Sequence, residues 1–177
     1  NNIFKLTNVM QHYAWGSLTS MSQLFAIKNS QAEPQAEIWM GAHPNGCSKV
    51  AETGELLSEL IKKNPIATLG EYTYQRFGEL PYLFKVLAAD KPLSVQVHPK
   101  LKDAKIGFEK ENQQGIELNA FNRNYKDANH KPELVYALTF YRAMNGFRPI
   151  AGIISIFEQA EITSLFFAIA ALKHNAN

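Results

Sequence analysis

The chain has 177 residues, enough to bury a sizeable core, and its 46% hydrophobic and 19% charged residues are the balance of an ordinary globular protein. A formal net charge of +2 supplies no basic field, which argues against nucleic acid or an acidic membrane surface as a partner. The lone cysteine, Cys47, excludes an internal disulfide framework and fits a reducing, cytoplasmic setting; in its Pro-Asn-Gly turn it reads as incidental rather than nucleophilic. No apolar run follows a basic N-terminal stretch, so no signal peptide is expected.

Residues 17–26 are expected to form a short helix capped by Ser17 or Ser20, with Leu18, Met21, Leu24 and Phe25 as its apolar stripe. Residues 38–40 read as a strand entering a Pro-Asn-Gly turn. Residues 56–63 read as a helix whose basic C-terminal end complements the dipole, and a second short helix follows at 65–69. Strands are expected at 82–88 and 93–98, on either side of the Asp90-Lys91-Pro92 turn. A helix at 102–112 then precedes two further strands, 134–141 and 143–147, around a tight turn. From 150 to 172 the chain is rich in Ile, Phe, Leu and Ala, but Glu158, Gln159 and Glu161 interrupt it. The uninterrupted part falls short of the roughly 20 apolar residues that span a membrane, so two helices or one bent helix are expected. Those helices carry more apolar surface than one packed face can bury, which implies cover from self-association or from chain beyond a truncation. No internal repeat or low-complexity linker is present.

Two motifs carry chemistry. In residues 92–99, Leu93, Val95 and Val97 alternate with Ser94, Gln96 and His98, so a strand here would project Gln96 and His98 into the same space. An amide oxygen and a neutral imidazole suit a borderline cation such as zinc; the competing reading is a half-buried strand with a solvated polar face. The second motif is Tyr125-Lys126-Asp127-Ala128-Asn129-His130-Lys131-Pro132-Glu133, a polar loop running into an apolar segment. It puts the Glu133 carboxylate at a strand mouth, within reach of a metal, and crowds His130 and Lys131 beside it. Here the competing reading is an ordinary charged turn. Together the motifs offer three ligands for one divalent ion at a polar, sugar-like site.

Lys85 interrupts the apolar run 82–88, where an unpaired ammonium would be expensive to bury. It either snorkels at a strand edge or meets an anion within a cavity. Ser94 could donate a hydroxyl to the same anion, or be a plain strand serine. Trp15 and Trp39 read as core residues in preference to sugar-stacking platforms. His12 and His43 show no ligand spacing.

The stretch from Tyr125 to Glu133 resembles the signature of the type I mannose-6-phosphate isomerases, zinc enzymes of the cupin superfamily. Tyr13-Ala14-Trp15-Gly16-Ser17, Ala36-Glu37-Ile38-Trp39-Met40-Gly41-Ala42-His43-Pro44, Leu83-Phe84-Lys85-Val86-Leu87 and Leu93-Ser94-Val95-Gln96-Val97-His98-Pro99 are similar to further family blocks, in family order. The likeness covers roughly residues 3 to 150; the tail matches only loosely. It implies a β-rich α+β fold: part of a cupin-like jelly-roll barrel with peripheral helices and a C-terminal helical segment. Residues 1–149 would be an incomplete metal-binding catalytic domain, and 150–177 the start of a truncated helical segment.

The resemblance further implies an aldose–ketose isomerase that interconverts mannose 6-phosphate and fructose 6-phosphate through an enediol intermediate. One Zn2+ per chain would be held by Gln96, His98 and Glu133. Lys131 and His130 are the candidates for ring opening and proton transfer, with Lys85 and Ser94 placed for phosphate. The family takes a fourth ligand, a histidine, and a basic residue from its C-terminal half, and neither is carried onto His174. The chain by itself is therefore expected to lack one wall of the site and to be inactive. Two other classes compete. One is a non-catalytic cupin-like module that binds a phosphosugar; the other is an iron-dependent cupin oxygenase, which Gln96 argues against, since that facial set is two histidines and a carboxylate.

Overall fold

A computed structural model describes residues 3–175. The chain forms two compact units, one ending at Val97 and the other beginning at His98, a boundary inside the stretch expected to be a single strand.

The first unit is built on two small antiparallel sheets. β1 (Leu6–Thr7) pairs with β4 (Lys49–Val50), while β2 (Val9–Gln11), β3 (Glu37–Met40) and β5 (Phe84–Leu87) form a three-stranded sheet with β3 central. Its register sets Trp39 opposite Lys85 and Val9, and Glu37 opposite Leu87 and Gln11. Because side chains alternate across a sheet, Glu37, Trp39 and Lys85 share one face and Met10, Ile38, Met40 and Val86 the other. The second face meets α1 (Ser20–Phe25), whose Met21 is inaccessible and packs with Ile38 and Ala88.

α1 starts at Ser20, later than the expected residue 17, with Thr19 at its N-cap and no side-chain cap bond; the Ser17 hydroxyl lies outside the helix and accepts the Thr19 and Ser20 amides. α2 (Leu57–Lys63) buries Leu57 and Ile61 and ends on Lys62 and Lys63; α3 (Pro65–Leu69) begins on its proline, and α4 (Glu71–Phe77) stops at Gly78, whose φ of 72° is the left-handed end that glycine tolerates.

The second unit contains α5 (Leu101–Gln113), a long irregular segment, and then α6 (Ile150–Gln159) and α7 (Phe166–Asn175) with a 3-10 turn at Thr163–Leu165 between them. The apolar tail is thus two helices. They bury Ile169 and half-bury Ile153, Phe157, Leu165 and Leu172, while Phe166 and Phe167 stay in water. Among the described residues no helix is long and apolar enough to cross a membrane.

The architecture is α+β, with less sheet than a β-rich barrel requires. Residues 93–98, 134–141 and 143–147, all expected as strands, are extended or irregular and join no ladder. Alternation encodes a face that wants cover, but a strand also needs a neighbouring backbone to hydrogen-bond. None of the described strands supplies one. The apolar side chains show the consequence: Val95 is 88% exposed and Leu134 96%.

Candidate functional site

In the first unit the register of β3 and β5 gathers a polar cluster on the sheet face opposite the Met21 core. Trp39 is buried and donates its indole N–H to Glu37 Oε2 at 2.6 Å. Lys85 Nζ lies 3.5 Å from the same oxygen and 4.8 Å from the centroid of the Trp39 ring. The ammonium therefore neither sits unpaired in the core nor simply snorkels away. It is about one-third exposed and held between a buried carboxylate and an aromatic face, with hydrogen-bonding directions left over for an anion.

Around this cluster, His43 meets the Trp39 ring edge-on at 5.0 Å, and Gly46 lies so close that a Cβ there would come within 2.8 Å of the indole. Tyr13 stacks on the half-buried Trp15 at 5.7 Å. Burial, and secondarily the negative charge of Glu37, push the Tyr13 hydroxyl above the ordinary phenol range. Trp39 is a packing residue, as the sequence suggested. Ser94 and Gln96 lie in the extended stretch that closes this unit, both exposed.

In the second unit the signature loop is tied down at several points. Arg123 is fully buried and spans the space between the loop and α5. Its Nε donates to Tyr125 O at 2.7 Å and lies 3.1 Å from Glu111 Oε2, its Nη1 donates to Ile116 O at 2.6 Å, and its Nη2 to Asn112 Oδ1 at 2.7 Å. Glu111 in turn accepts the Tyr125 amide at 2.8 Å and both the backbone and side-chain N–H groups of Asn124 at 3.2 Å. Burial alone would push the Glu111 carboxyl up, but hydrogen bonds from Tyr125 and Asn124 and the Arg123 charge together hold it below its usual range. Farther along, the Asn129 amide donates to Asp127 Oδ1 at 2.8 Å, a local turn within the motif.

His98 Nδ1 lies 2.9 Å from Lys131 O. A carbonyl can only accept, so Nδ1 must carry the proton, and this tautomer puts the basic lone pair on Nε2. That is the arrangement by which a metal-binding histidine is usually oriented, with the other ring nitrogen donating to a carbonyl. The bond also brings His98 onto the second motif, two residues from Glu133. The side chains of His130, Lys131 and Glu133 are exposed. Among the described residues no group of three His, Cys, Asp or Glu side chains is placed to hold a metal. The set read from the sequence contains only two residues of those types beside Gln96.

The family profile described as "Phosphomannose isomerase type I, catalytic domain" matches residues 3–150. This chain belongs to the type I phosphomannose isomerase family. Mannose-6-phosphate isomerase of Salmonella typhimurium is 54% identical over 157 residues, covering 87% of this chain and 40% of that protein. The Homo sapiens mannose-6-phosphate isomerase is 36% identical over 184 residues, covering 97% of this chain and 41% of its own length. A crystal structure of the Salmonella typhimurium enzyme bound to substrate and a zinc atom matches with a TM-score of 0.85 at 49% identity, covering 100% of this chain and 45% of that one. The chain thus spans about two fifths of the length of the curated relatives it matches.

Within this chain, two polar groups escaped the reading from sequence. Glu37 is one: a carboxylate inside the apolar run Ala36-Glu37-Ile38-Trp39, on a strand whose neighbour carries an equally misplaced Lys85. Two opposite charges breaking two apolar strands were the available signal that those strands pair. The other is the Glu111–Arg123 pair, whose signal was weaker, because both residues sit in polar surroundings where charge is ordinary.

Proposed function

We propose that this chain carries the ligand and phosphate-binding part of a zinc-dependent mannose-6-phosphate isomerase, which interconverts mannose 6-phosphate and fructose 6-phosphate. Gln96, His98 and Glu133 hold one zinc ion, Lys85 and Ser94 receive the phosphate, and Lys131 and His130 serve ring opening and proton transfer. The observation that carries this reading is the hydrogen bond from His98 to Lys131 O, which fixes the imidazole tautomer for a metal and holds His98 against the signature loop. An amide oxygen, an imidazole nitrogen and a carboxylate are chemically a zinc donor set, and the relatives of this family include a zinc- and substrate-bound enzyme.

When bound, zinc supplies Lewis acidity that stabilises negative charge as the enediol develops. The chain's own residues do the rest. Isomerisation moves one proton between C2 and C1 and another between O2 and O1, so a base must take and return a proton on one face of the sugar. Lys131 and His130, adjacent in the signature loop, can each carry a proton over that distance. Lys85, already held by Glu37 and Trp39, offers a preorganised positive charge that anchors the far end of the substrate.

In this reading residues 1–149 are part of a cupin-like, metal-binding catalytic domain and 150–177 open a helical segment. A cytoplasmic setting suits its sugar phosphates and its single cysteine. Calorimetric titration with fructose 6-phosphate, with and without one equivalent of zinc, tests the reading. Binding that strengthens with zinc and loses that gain in Glu133→Gln supports it. Binding indifferent to both zinc and Glu133 would overturn it.

A further inference from the structure

Gly107 stands in the middle of α5, where glycine weakens a helix relative to alanine. The reason lies across from it: a Cβ at Gly107 would run into the Tyr125 ring. Tyr125 is the first residue of the signature, and it is gripped three ways, twice by α5 and once by Arg123. Its ring rests on Gly107, its amide donates to Glu111 at 2.8 Å, and its carbonyl accepts from the buried Arg123 at 2.7 Å. Burying a guanidinium is costly unless its donors are satisfied, and Arg123 meets that requirement with Glu111 and Asn112 Oδ1 of α5, the Ile116 carbonyl just beyond it, and the Tyr125 carbonyl that opens the loop. At the loop's other end Lys131 O is held by His98, and between them Asp127 accepts the Asn129 amide.

We propose that Gly107, Glu111 and Arg123 are positioning residues for the metal site: they fix the origin of the signature loop on α5 and thereby set where His130, Lys131 and Glu133 fall. The inference rests on the metal reading above. It differs from a purely structural role in one respect. The collision of an added Cβ with the Tyr125 ring costs stability under either role, but only a positioning role carries that displacement along the loop to His130, Lys131 and Glu133 and so weakens zinc in a variant that still folds.

The test uses the 177-residue chain, with zinc titrated against a chelating indicator and hydrogen exchange measured on the metal-free protein. Gly107→Ala is expected to weaken zinc binding about tenfold to a hundredfold, the range seen when a ligand's supporting shell is disturbed. Amides 126–133 should exchange faster in that variant, while those within α5 keep their protection. Gly107→Ala combined with Tyr125→Ala removes the collision but leaves the Glu111 and Arg123 bonds to the backbone of residue 125, so it should recover part of the lost affinity. Arg123→Lys, which keeps the charge but not the fork of donors, should weaken zinc as Gly107→Ala does. If Glu133→Gln weakens zinc while the folded Gly107→Ala and Arg123→Lys variants bind it as the parent does, the positioning role is wrong and the metal reading stands. A parent whose zinc affinity is unchanged by Glu133→Gln would overturn the metal reading and the positioning role with it.

Discussion

Replacing Gly16 by alanine adds one methyl group at the tightest backbone approach in the first unit. The new Cβ would lie 2.6 Å from Ala36 N, 2.7 Å from its Cα and 2.8 Å from its Cβ, all well inside ordinary contact. Ala36 cannot move aside. It is wholly inaccessible, its N–H donates to Gln11 O at 2.9 Å, and its carbonyl accepts from Ala88 N at 2.8 Å. Gly16 itself bridges to Ala89, and Ser17 exchanges backbone hydrogen bonds with Ala88 and Gln35 on either side. Relief must therefore break part of this lattice. Overpacking costs about 1–3 kcal/mol, and one or two weakened hydrogen bonds add about 1 kcal/mol each, giving roughly 2–5 kcal/mol in all. For a chain of this size that is a fall in Tm of roughly 4–20 °C.

Gly152→Ala is the matched control, since that position lies inside α6 with nothing within 4 Å of an added methyl group, so the same change should stabilise by about 0.5–1 kcal/mol. Thermal melts followed by circular dichroism, with urea titrations beside them, read both. A Gly16→Ala protein melting within about 2 °C of the parent would refute the reasoning, because no lattice this tight could accept the methyl group freely.

Lys85→Met should weaken fructose 6-phosphate binding at matched salt far more than it lowers Tm, because the lost charge is one-third exposed and its loss leaves Glu37 still accepting the Trp39 N–H; equal binding by variant and parent would reduce Lys85 to a strand residue. Met21→Ala should cost about 2–5 kcal/mol in urea unfolding, as expected for emptying an inaccessible core position. Glu111 has a folded-state pKa below its usual 4.5, so it contributes stability above that pH which is lost as pH falls through the lower folded value. Glu111→Gln should accordingly flatten the acid limb of the stability curve, and an unchanged limb would contradict the assignment. In an alkaline absorbance titration, Tyr13→Phe should remove a tyrosine that ionises above the ordinary phenol range.

The sequence carried local structure well where local chemistry decides it. The basic end of Leu57–Lys63, Pro65 at a helix start and the charges that split the apolar tail each produced the expected element, whereas of the stripe expected on the first helix only Met21 is buried and Leu18, Leu24 and Phe25 stay exposed. It failed where structure depends on a distant partner. Residues 93–98 alternate as a strand should, yet alternation cannot say which backbone will pair with them, and no described strand does. The short strands Leu6–Thr7 and Lys49–Val50 were missed for the converse reason: two residues show no period, and only their mutual pairing makes them strands. At the site, His98 and the signature were legible as residue types, whereas the bond between His98 and Lys131 O, and the clasp of Arg123 on Tyr125, depend on tertiary contacts that no spacing reveals.

Whether Gln96, His98 and Glu133 hold zinc is addressed most directly by X-ray absorption on the zinc-loaded chain. The expected result is about one zinc per chain with a first shell of nitrogen and oxygen only, at about 2.0–2.2 Å. His98→Ala should remove the imidazole scattering and most of the bound metal. A sulfur neighbour at about 2.3 Å, which only Cys47 or a methionine could supply, or a spectrum unchanged in His98→Ala, would contradict it.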